Sequence, residues 1–241
     1  MKQLLVLLIV LIVLPATAQI PGSLKGIADK VKTSGTGSLS NEEVISGLKE
    51  ALSKGAESSA LKGSALDGFW KNELIRIAFP PEAEKMKTTL VKIGMTKQVD
   101  EFEKTMNRAA EDAAKEALPI LRDAVTGMSV GDGFAILKGG ERAATDYLIK
   151  QTSESLRAKF SPIVANSTKK VALTNYWTPL ATSYNKAGAF TGAKAVDPDL
   201  DAYITQKAID GLFALIAQEE AKIRQDPMAR TSDLLRKVFG N

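Results

Sequence analysis

The chain has 241 residues, of which 44% are hydrophobic and 25% are charged, and its formal net charge is +4. This composition is ordinary for a folded chain of this length, and we expect one domain. The sequence contains neither cysteine nor histidine. It therefore excludes disulfides, the usual zinc, copper and haem ligand sets, and catalytic groups of the Ser-His-Asp or Cys-His type.

The basic residues are dispersed rather than grouped. The closest lysines, within residues 85–97, are interleaved with glutamates and apolar residues. Interleaving of this kind favours a solvated helix face over a nucleic-acid footprint, which needs a basic patch or stripe. We therefore expect no nucleic-acid partner.

The first residues have the pattern of a secretory signal peptide. A positive start at Met1-Lys2 precedes an apolar run from Leu4 to Leu14, and the small residues Ala16-Thr17-Ala18 follow. The run is shorter than the roughly 20 residues that a membrane-spanning helix needs. We predict a cleaved signal peptide at 1–18, a flexible linker at 19–39 and a helical domain at 40–241. Export to the periplasm or cell exterior follows, with no transmembrane segment after cleavage.

The first half of that domain carries clear helix signals. Ser40 and Glu43 have the spacing of a capping box, and we expect the helix they begin to end at Gly55. Residues 67–79 are predicted to form a short helix or turn on the core. Residues 81–94 are expected to form the next helix, which starts at a proline and ends at a glycine.

Residues 96–125 form the longest stretch with helical spacing, and Pro119 should kink or split it. A short capped helix is predicted at 129–139. A helix at 141–160 follows, and Ser161-Pro162 is expected to start another.

A long helix is predicted from Asp197-Pro198-Asp199 to Pro227, and Thr231 or Ser232 can cap a final one. The apolar face of that final helix is formed by Leu234, Leu235, Val238 and Phe239. No stretch alternates with period two, so strands should be minor at most. The prediction is an all-α fold, a single domain of about eight to ten helices.

Two groups of residues carry a resemblance to a known family. The first is Phe102-Glu103 with Met106-Asn107-Arg108-Ala109-Ala110-Glu111, and the second runs from Asp210-Gly211-Leu212-Phe213 through Ala217-Gln218-Glu219-Glu220 to Ile223-Arg224 and Arg230-Thr231. The chain resembles the bacterial domain of unknown function numbered 4197, from about Leu39 to Gly240. The resemblance implies an exported bacterial helical protein, and it brings no activity, ligand or catalytic residue.

Two polar groups are candidate binding residues. The first group lies on one side of a helix or next to that side: Glu103, Asn107, Arg108 and Glu111. The second group lies near the end of the last long helix: Glu219, Glu220 and Arg224. A pocket or cation site could use them. A solvated face or a buried ion-pair network is the favoured interpretation. If the two groups faced each other, four carboxylates could gather, although the histidines of carboxylate-bridged metal proteins are absent.

Two further patterns favour structural roles. Asp197, Asp199 and Asp201 lack the glycine and closing glutamate of a calcium loop, so helix capping is the preferred interpretation. The aromatic residues Trp70, Tyr176, Trp177 and Tyr184 could line a groove, but core packing is the more usual role.

These observations predict a non-catalytic interaction protein of the bacterial envelope, which holds a partner protein or an apolar ligand between its helices. No cofactor is expected, and the oligomeric state stays open. The alternatives are a carboxylate-based hydrolase and a carboxylate cation-binding protein, because paired acids can act without histidine.

Overall fold

The computed structural model describes residues 40–169, 177–178, 181–182, 184–186, 189 and 194–225, and these contain helices and no strands. The prediction of an all-α single domain is confirmed. Eight helices have defined bounds within the described residues: α1 Asn41–Ser64, the 3-10 helix Pro81–Ala83, α2 Glu84–Lys92, α3 Thr96–Ala114, α4 Ala117–Thr126, α5 Val130–Lys138, α6 Ala143–Thr168 and α7 Leu200–Gln225. The predicted signal peptide, linker and final helix lie outside the described residues.

Helix α3 lies at the centre of the described bundle. It packs against α1, α6 and α7, and α7 also packs against α1 and α6. The buried side of α3 is rich in alanine, including Ala109, Ala110, Ala113 and Ala114, which have no exposed surface. Small side chains let the neighbouring helices and the chain between them approach α3 closely. Polar side chains of α3 can therefore bond to backbone groups of those neighbours.

Several helix boundaries are as the sequence predicts. The capping box at the start of α1 is formed in both directions, with Ser40 N–H to Glu43 Oε2 at 2.8 Å and Glu43 N–H to Ser40 Oγ at 3.1 Å. Gly94, beyond the end of α2, has a φ of +88°, which a residue with a Cβ adopts only at a cost. Pro119 lies in the first turn of α4, after the break that separates it from α3.

The predicted end of α1 at Gly55 is wrong, because the helix continues to Ser64. Gly55 is buried on the side of α1 that packs against α7, and a Cβ there would lie 3.6 Å from the Cβ of Glu219. The glycine allows close helix packing, and its low helix propensity is overridden by tertiary contacts.

The predicted helix start at Ser161-Pro162 is also wrong, because α6 runs through both residues to Thr168. Pro162 lies on the exposed side of α6, as does Ala158, the residue whose carbonyl group the proline cannot bond. That carbonyl group can bond water instead. Phe160 and Val164 have no exposed surface, and their burial holds the helix together across the proline.

Among the described residues, no helix combines the length and apolar character needed to span a membrane.

Asp199 caps α7 by accepting a hydrogen bond from Ala202 N–H at 2.9 Å, and Asp197 accepts one from Asp199 N–H. Asp201 accepts a hydrogen bond from Thr168 Oγ1 at 2.8 Å. The three aspartates therefore have structural roles at the start of α7, as the sequence favours.

Candidate functional site

The candidate site is built around the chain between α1 and the 3-10 helix, residues 65–80, which we call the linking segment. It consists mainly of turns and extended residues, yet Phe69, Ile75, Ile77 and Phe79 are buried. Burial removes backbone N–H and C=O groups from water, and each needs another partner. Part of this need is met by side chains of α3.

Asn107 pairs with the linking segment as a neighbouring strand would. Its Oδ1 accepts a hydrogen bond from Ile77 N–H at 2.8 Å, and its Nδ2 donates to the carbonyl oxygen of Ile77, also at 2.8 Å. Nδ2 also donates to the carbonyl oxygen of Glu103 at 2.8 Å. Only a primary amide can both donate and accept in this way, so glutamine is the one other residue type with the same chemistry.

Glu103 lies one turn earlier on α3 and is buried. Its carboxylate accepts hydrogen bonds from Phe79 N–H at 3.3 Å, from Lys87 Nζ at 2.6 Å and from Arg76 at 3.0 Å. Burying a carboxylate is costly unless it is paired and hydrogen-bonded. Two cations and one backbone N–H group meet that need here.

Glu111 lies one turn later on α3 and binds the start of the linking segment. Its Oε1 accepts hydrogen bonds from Phe69 N–H at 3.1 Å and Trp70 N–H at 3.2 Å. Arg108 bridges the carboxylates of Glu111 and Asp67. Hydrogen bonds lower the pKa of Asp67, and the bond from Lys71 has a larger effect than the bond from Arg108. The backbone of Asp67 has a φ of +66°.

The structure thus brings the four candidate residues of α3 together as a buried network. We call Glu103, Asn107, Arg108 and Glu111 the brace, because they hold the backbone of the linking segment against the bundle. Both carboxylates, the Asn107 amide and the two terminal nitrogens of Arg108 are engaged within the protein. Of the two structural interpretations that the sequence favours, a solvated face and a buried ion-pair network, these contacts correspond to the second.

Glu220, in the second candidate group, caps a helix distant in sequence. Its carboxylate accepts hydrogen bonds from the N–H groups of Ala144 and Thr145, at 3.1 and 2.8 Å, and from Thr145 Oγ1 at 2.7 Å. The residue before α6, Arg142, supplies no side-chain cap. A buried carboxylate at a helix N-terminus satisfies free donors and complements the helix dipole. Arg224 Nε donates to the same carboxylate at 3.0 Å.

Glu219 points to different partners from its neighbour Glu220. It forms ion pairs with Lys62 on α1 and Lys222 on α7. Burial raises the pKa of Glu219, but hydrogen bonds from Lys62 and Lys222 outweigh this effect, and the net pKa is lowered. Glu219 thereby connects α1 to α7.

The two candidate groups do not converge. The brace bonds the linking segment, whereas the α7 group bonds α1 and the start of α6. Within the part of the chain that the structure describes, no three acidic residues are grouped in a way that could hold a metal ion. The alternative in which four carboxylates gather is therefore not supported by these residues.

The predicted aromatic residues are mostly part of the core. Trp177 is buried and its ring lies 5.7 Å from that of Phe79 and 5.6 Å from that of Phe102. Tyr184 is partly buried against the core, and Arg76 covers the ring of Trp70 at 4.1 Å. Tyr176 lies outside the described residues.

One exposed apolar surface was not predicted from the sequence. Leu61, Leu66 and Leu74 are 60%, 79% and 54% exposed, and we call them the leucine surface. They come from the last turn of α1 and from the linking segment. Leu74 lines an open groove, and the chain neighbours of Leu61 and Leu66 line it as well: Lys62, Ala65 and Asp67, together with Lys71 and Leu215. A signal was available for Leu61 alone, which lies off the buried stripe of α1; Leu66 and Leu74 lie in a segment without helix, where helical spacing gives no such signal.

A family model described as a protein of unknown function, DUF4197, matches residues 38–240. The chain belongs to the DUF4197 family. The match covers the whole of the described DUF4197 bundle, including the brace and the linking segment. No curated protein and no solved structure matches the chain.

The DUF4197 bundle also contains a narrow apolar cleft between α1, α7 and the start of α6. Its walls include Leu48, Leu52, Ile216 and Ile223. The ion pair of Glu220 and Arg224 lies at one side of this cleft. The sequence predicts the apolar stripes of both helices, but an opening between them depends on how the helices pack.

Proposed function

We propose that the protein is an exported, non-catalytic interaction protein of the bacterial envelope, and that its leucine surface binds a partner protein. One observation carries the proposal: Leu66 and Leu74 are exposed on the linking segment, whose backbone is hydrogen-bonded to the brace. Exposed apolar patches of this kind are typical of protein interaction sites. A rigid backbone lowers the entropy cost of binding.

The shape and charge of the leucine surface support a protein partner over a small ligand. Small-molecule sites are usually concave and enclose most of the ligand, whereas the groove beside Leu74 is open. The nearest cations are paired, Lys62 with Glu219 and Lys71 with Asp67. Binding would therefore depend on burial of apolar surface, and we expect the partner to present apolar side chains of its own.

The state of the carboxylates supports a non-catalytic role. A carboxyl-based general acid needs a raised pKa. Where a carboxyl pKa is displaced among the described residues, it is lowered: this holds for Asp67, Glu82, Asp132 and Glu219. A hydrolase or cation site built from the carboxylates of the brace would also need to break their hydrogen bonds. Neither gains support from the geometry.

Export is supported by the sequence of residues 1–18 and by the implication of the family resemblance. The predicted mature chain begins at Gln19. An exported protein without cysteine depends on packing for its stability, as the buried core of the described bundle permits.

Site-specific photo-crosslinking in bacterial cells that carry the natural gene tests this proposal. A photoreactive phenylalanine analogue replaces Leu66 or Leu74 in the full chain, and Ile93, which is 67% exposed, serves as the matched control. We expect one discrete protein adduct from positions 66 and 74 and none from 93. The adduct should disappear when Leu61→Asp is added in the same chain.

Two outcomes would contradict the proposal. Equal adducts from all three positions would show that contact is non-specific. An adduct that survives Leu61→Asp would show that the leucine surface does not select the partner.

A further inference from the structure

A groove between α4 and α6 combines apolar and polar side chains. Its lining includes residues at helical spacing on each wall: Ile120, Asp123 and Ala124 from α4, and Tyr147, Gln151 and Ser155 from α6. Its volume is about 290 Å³, close to the lower end of the roughly 300–1,000 Å³ that is typical of small-molecule sites. It is less open than the groove at the leucine surface. It shares no residue with that surface or with the brace, and it has room for a small ligand.

The apolar part of the groove is held in place by packing. Ile120, Ala124 and Tyr147 are partly buried against the core. The Tyr147 hydroxyl group donates a hydrogen bond to the carbonyl oxygen of Ala124 at 3.3 Å, which joins the two walls. Burial, and then the charge of Asp132, raise the pKa of Tyr147 above its ordinary value of 10.0, so the hydroxyl group keeps the proton that it donates. The groove therefore has a preformed apolar side.

The polar part of the groove consists of groups that can accept hydrogen bonds. Within the described residues, the side chains of Asp123, Gln151 and Ser155 form no hydrogen bond and no ion pair. Gln151 and Ser155 are four residues apart on α6, so they lie on the same side of that helix. The groove thus presents three unused acceptors, one of which is ionised.

Asp123 has an unfavourable position for a carboxylate. It lies in the last turn of α4, which contains no basic residue, and a negative charge there opposes the helix dipole. Lys49 of α1 donates to the carbonyl oxygen of Thr126 at 2.8 Å, but it forms no ion pair with Asp123 among the residues that the structure describes. A bound cation would remove this unfavourable interaction, whereas an anion would increase it.

We propose that the groove binds an alkylammonium group, from a small amine or from a lysine side chain. An ammonium group has three N–H donors and no acceptor, which matches three acceptors around one position. It donates to the Asp123 carboxylate, and Gln151 and Ser155 accept its other N–H groups. The carbon chain packs against Ile120 and the ring of Tyr147. This site uses none of the carboxylates of the brace.

Titration of the full chain with n-pentylamine, followed by nuclear magnetic resonance of the backbone amides, tests the proposal. The control ligand is n-pentanol, which has the same carbon chain and no charge. We expect saturable shifts of the amides of Asp123 and Gln151 with the amine and none with the alcohol. Equal shifts with both ligands, or no saturation with the amine, would overturn the proposal.

A second titration identifies the source of the ammonium group. It uses Nα-acetyl-lysine methylamide, which presents a lysine side chain without a free backbone amine. Tighter binding of this compound than of n-pentylamine would assign the groove to a lysine of a peptide. Tighter binding of n-pentylamine would assign it to a free amine.

A pair of variants tests the role of the carboxylate. Asp123→Asn should weaken the binding of n-pentylamine about tenfold or more, because the ionised acceptor is lost. Asp100→Asn removes the same charge from the exposed side of α3 and should leave the affinity unchanged. Equal affinities of the two variants would contradict the site. Asp123→Asn also removes a charge that opposes the helix dipole, so it should fold, and circular dichroism checks this. None of these measurements involves the leucine surface, so the two proposals fail separately.

Discussion

Single side chains decide how the linking segment is held. Glu103, Asn107 and Glu111 recur every four residues, and the sequence shows that they share one side of α3. Their partners in the linking segment lie 24 to 42 residues away, and spacing along one helix contains no information about them. The sequence favours a solvated face or a buried network, but it shows neither which of the two is formed nor that the network fixes a turn-rich segment.

Replacing Asn107 tests the brace at a single residue. Asn107→Ala leaves buried backbone groups of Ile77 without partners, and we expect the free energy of unfolding to fall by about 2–4 kcal/mol. Lys104→Ala, on the exposed side of α3, should change it by less than about 0.5 kcal/mol. Urea unfolding followed by circular dichroism measures both. A loss below the control value for Asn107→Ala would mean that the amide is dispensable.

Acid sensitivity should depend on Glu219. Its pKa is lowered in the folded protein relative to the ordinary value of 4.5, so its ion pairs stabilise the fold above that pH, and the stabilisation is lost as pH falls through the folded pKa. The free energy of unfolding of Glu219→Gln should therefore fall less steeply than that of the natural chain between about pH 5 and pH 3. Glu101→Gln, in an exposed ion pair with a 3.9 Å separation, should follow the natural chain. If the free energy of unfolding fell equally steeply with pH in all three proteins, Glu219 would not be the source of the acid sensitivity.

At the scale of elements, capping boxes predict helix starts correctly, whereas a single glycine or proline is a poor predictor of a helix boundary. Capping boxes act within four residues, so the starts of α1 and α5 are correct. Gly55 and Pro162 are normally breakers, but each lies where packing or solvent removes the penalty. Whether each residue ends its helix depends on which side of the helix faces the core. That side is set by the packing of the whole bundle.

Close contact between the linking segment and α7 should make Gly211 intolerant of a side chain. A Cβ there would lie 2.7 Å from Phe69 Cε1 and 3.1 Å from the Cβ of Ile75, both of which are buried. We expect Gly211→Ala to destabilise the fold by about 1–3 kcal/mol through overpacking. Gly131→Ala, on the exposed side of α5, should stabilise it by a few tenths of a kcal/mol up to about 1. The midpoints of thermal unfolding of both variants measure this difference. Equal midpoints would contradict the close contact between Gly211 and Phe69.

At the scale of the whole molecule, hydrophobic spacing was sufficient to predict an all-α single domain. The buried stripe of α7, with Ile209, Leu212 and Ile216, is visible in the sequence and packs across the core. The leucine surface and the apolar cleft are not visible in this way. Both depend on which apolar residues are left uncovered after packing, and a single helix pattern does not specify that.

The brace on α3 should hold the backbone of the linking segment as firmly as the helices hold their own. Hydrogen exchange of the full chain, resolved to single amides, tests it most directly. We predict that the amides of Phe69, Trp70, Ile77 and Phe79, which donate to brace side chains, exchange at rates close to those of the α3 core. Exchange of these four amides as fast as that of the exposed Glu73 would show that the brace does not fix the linking segment.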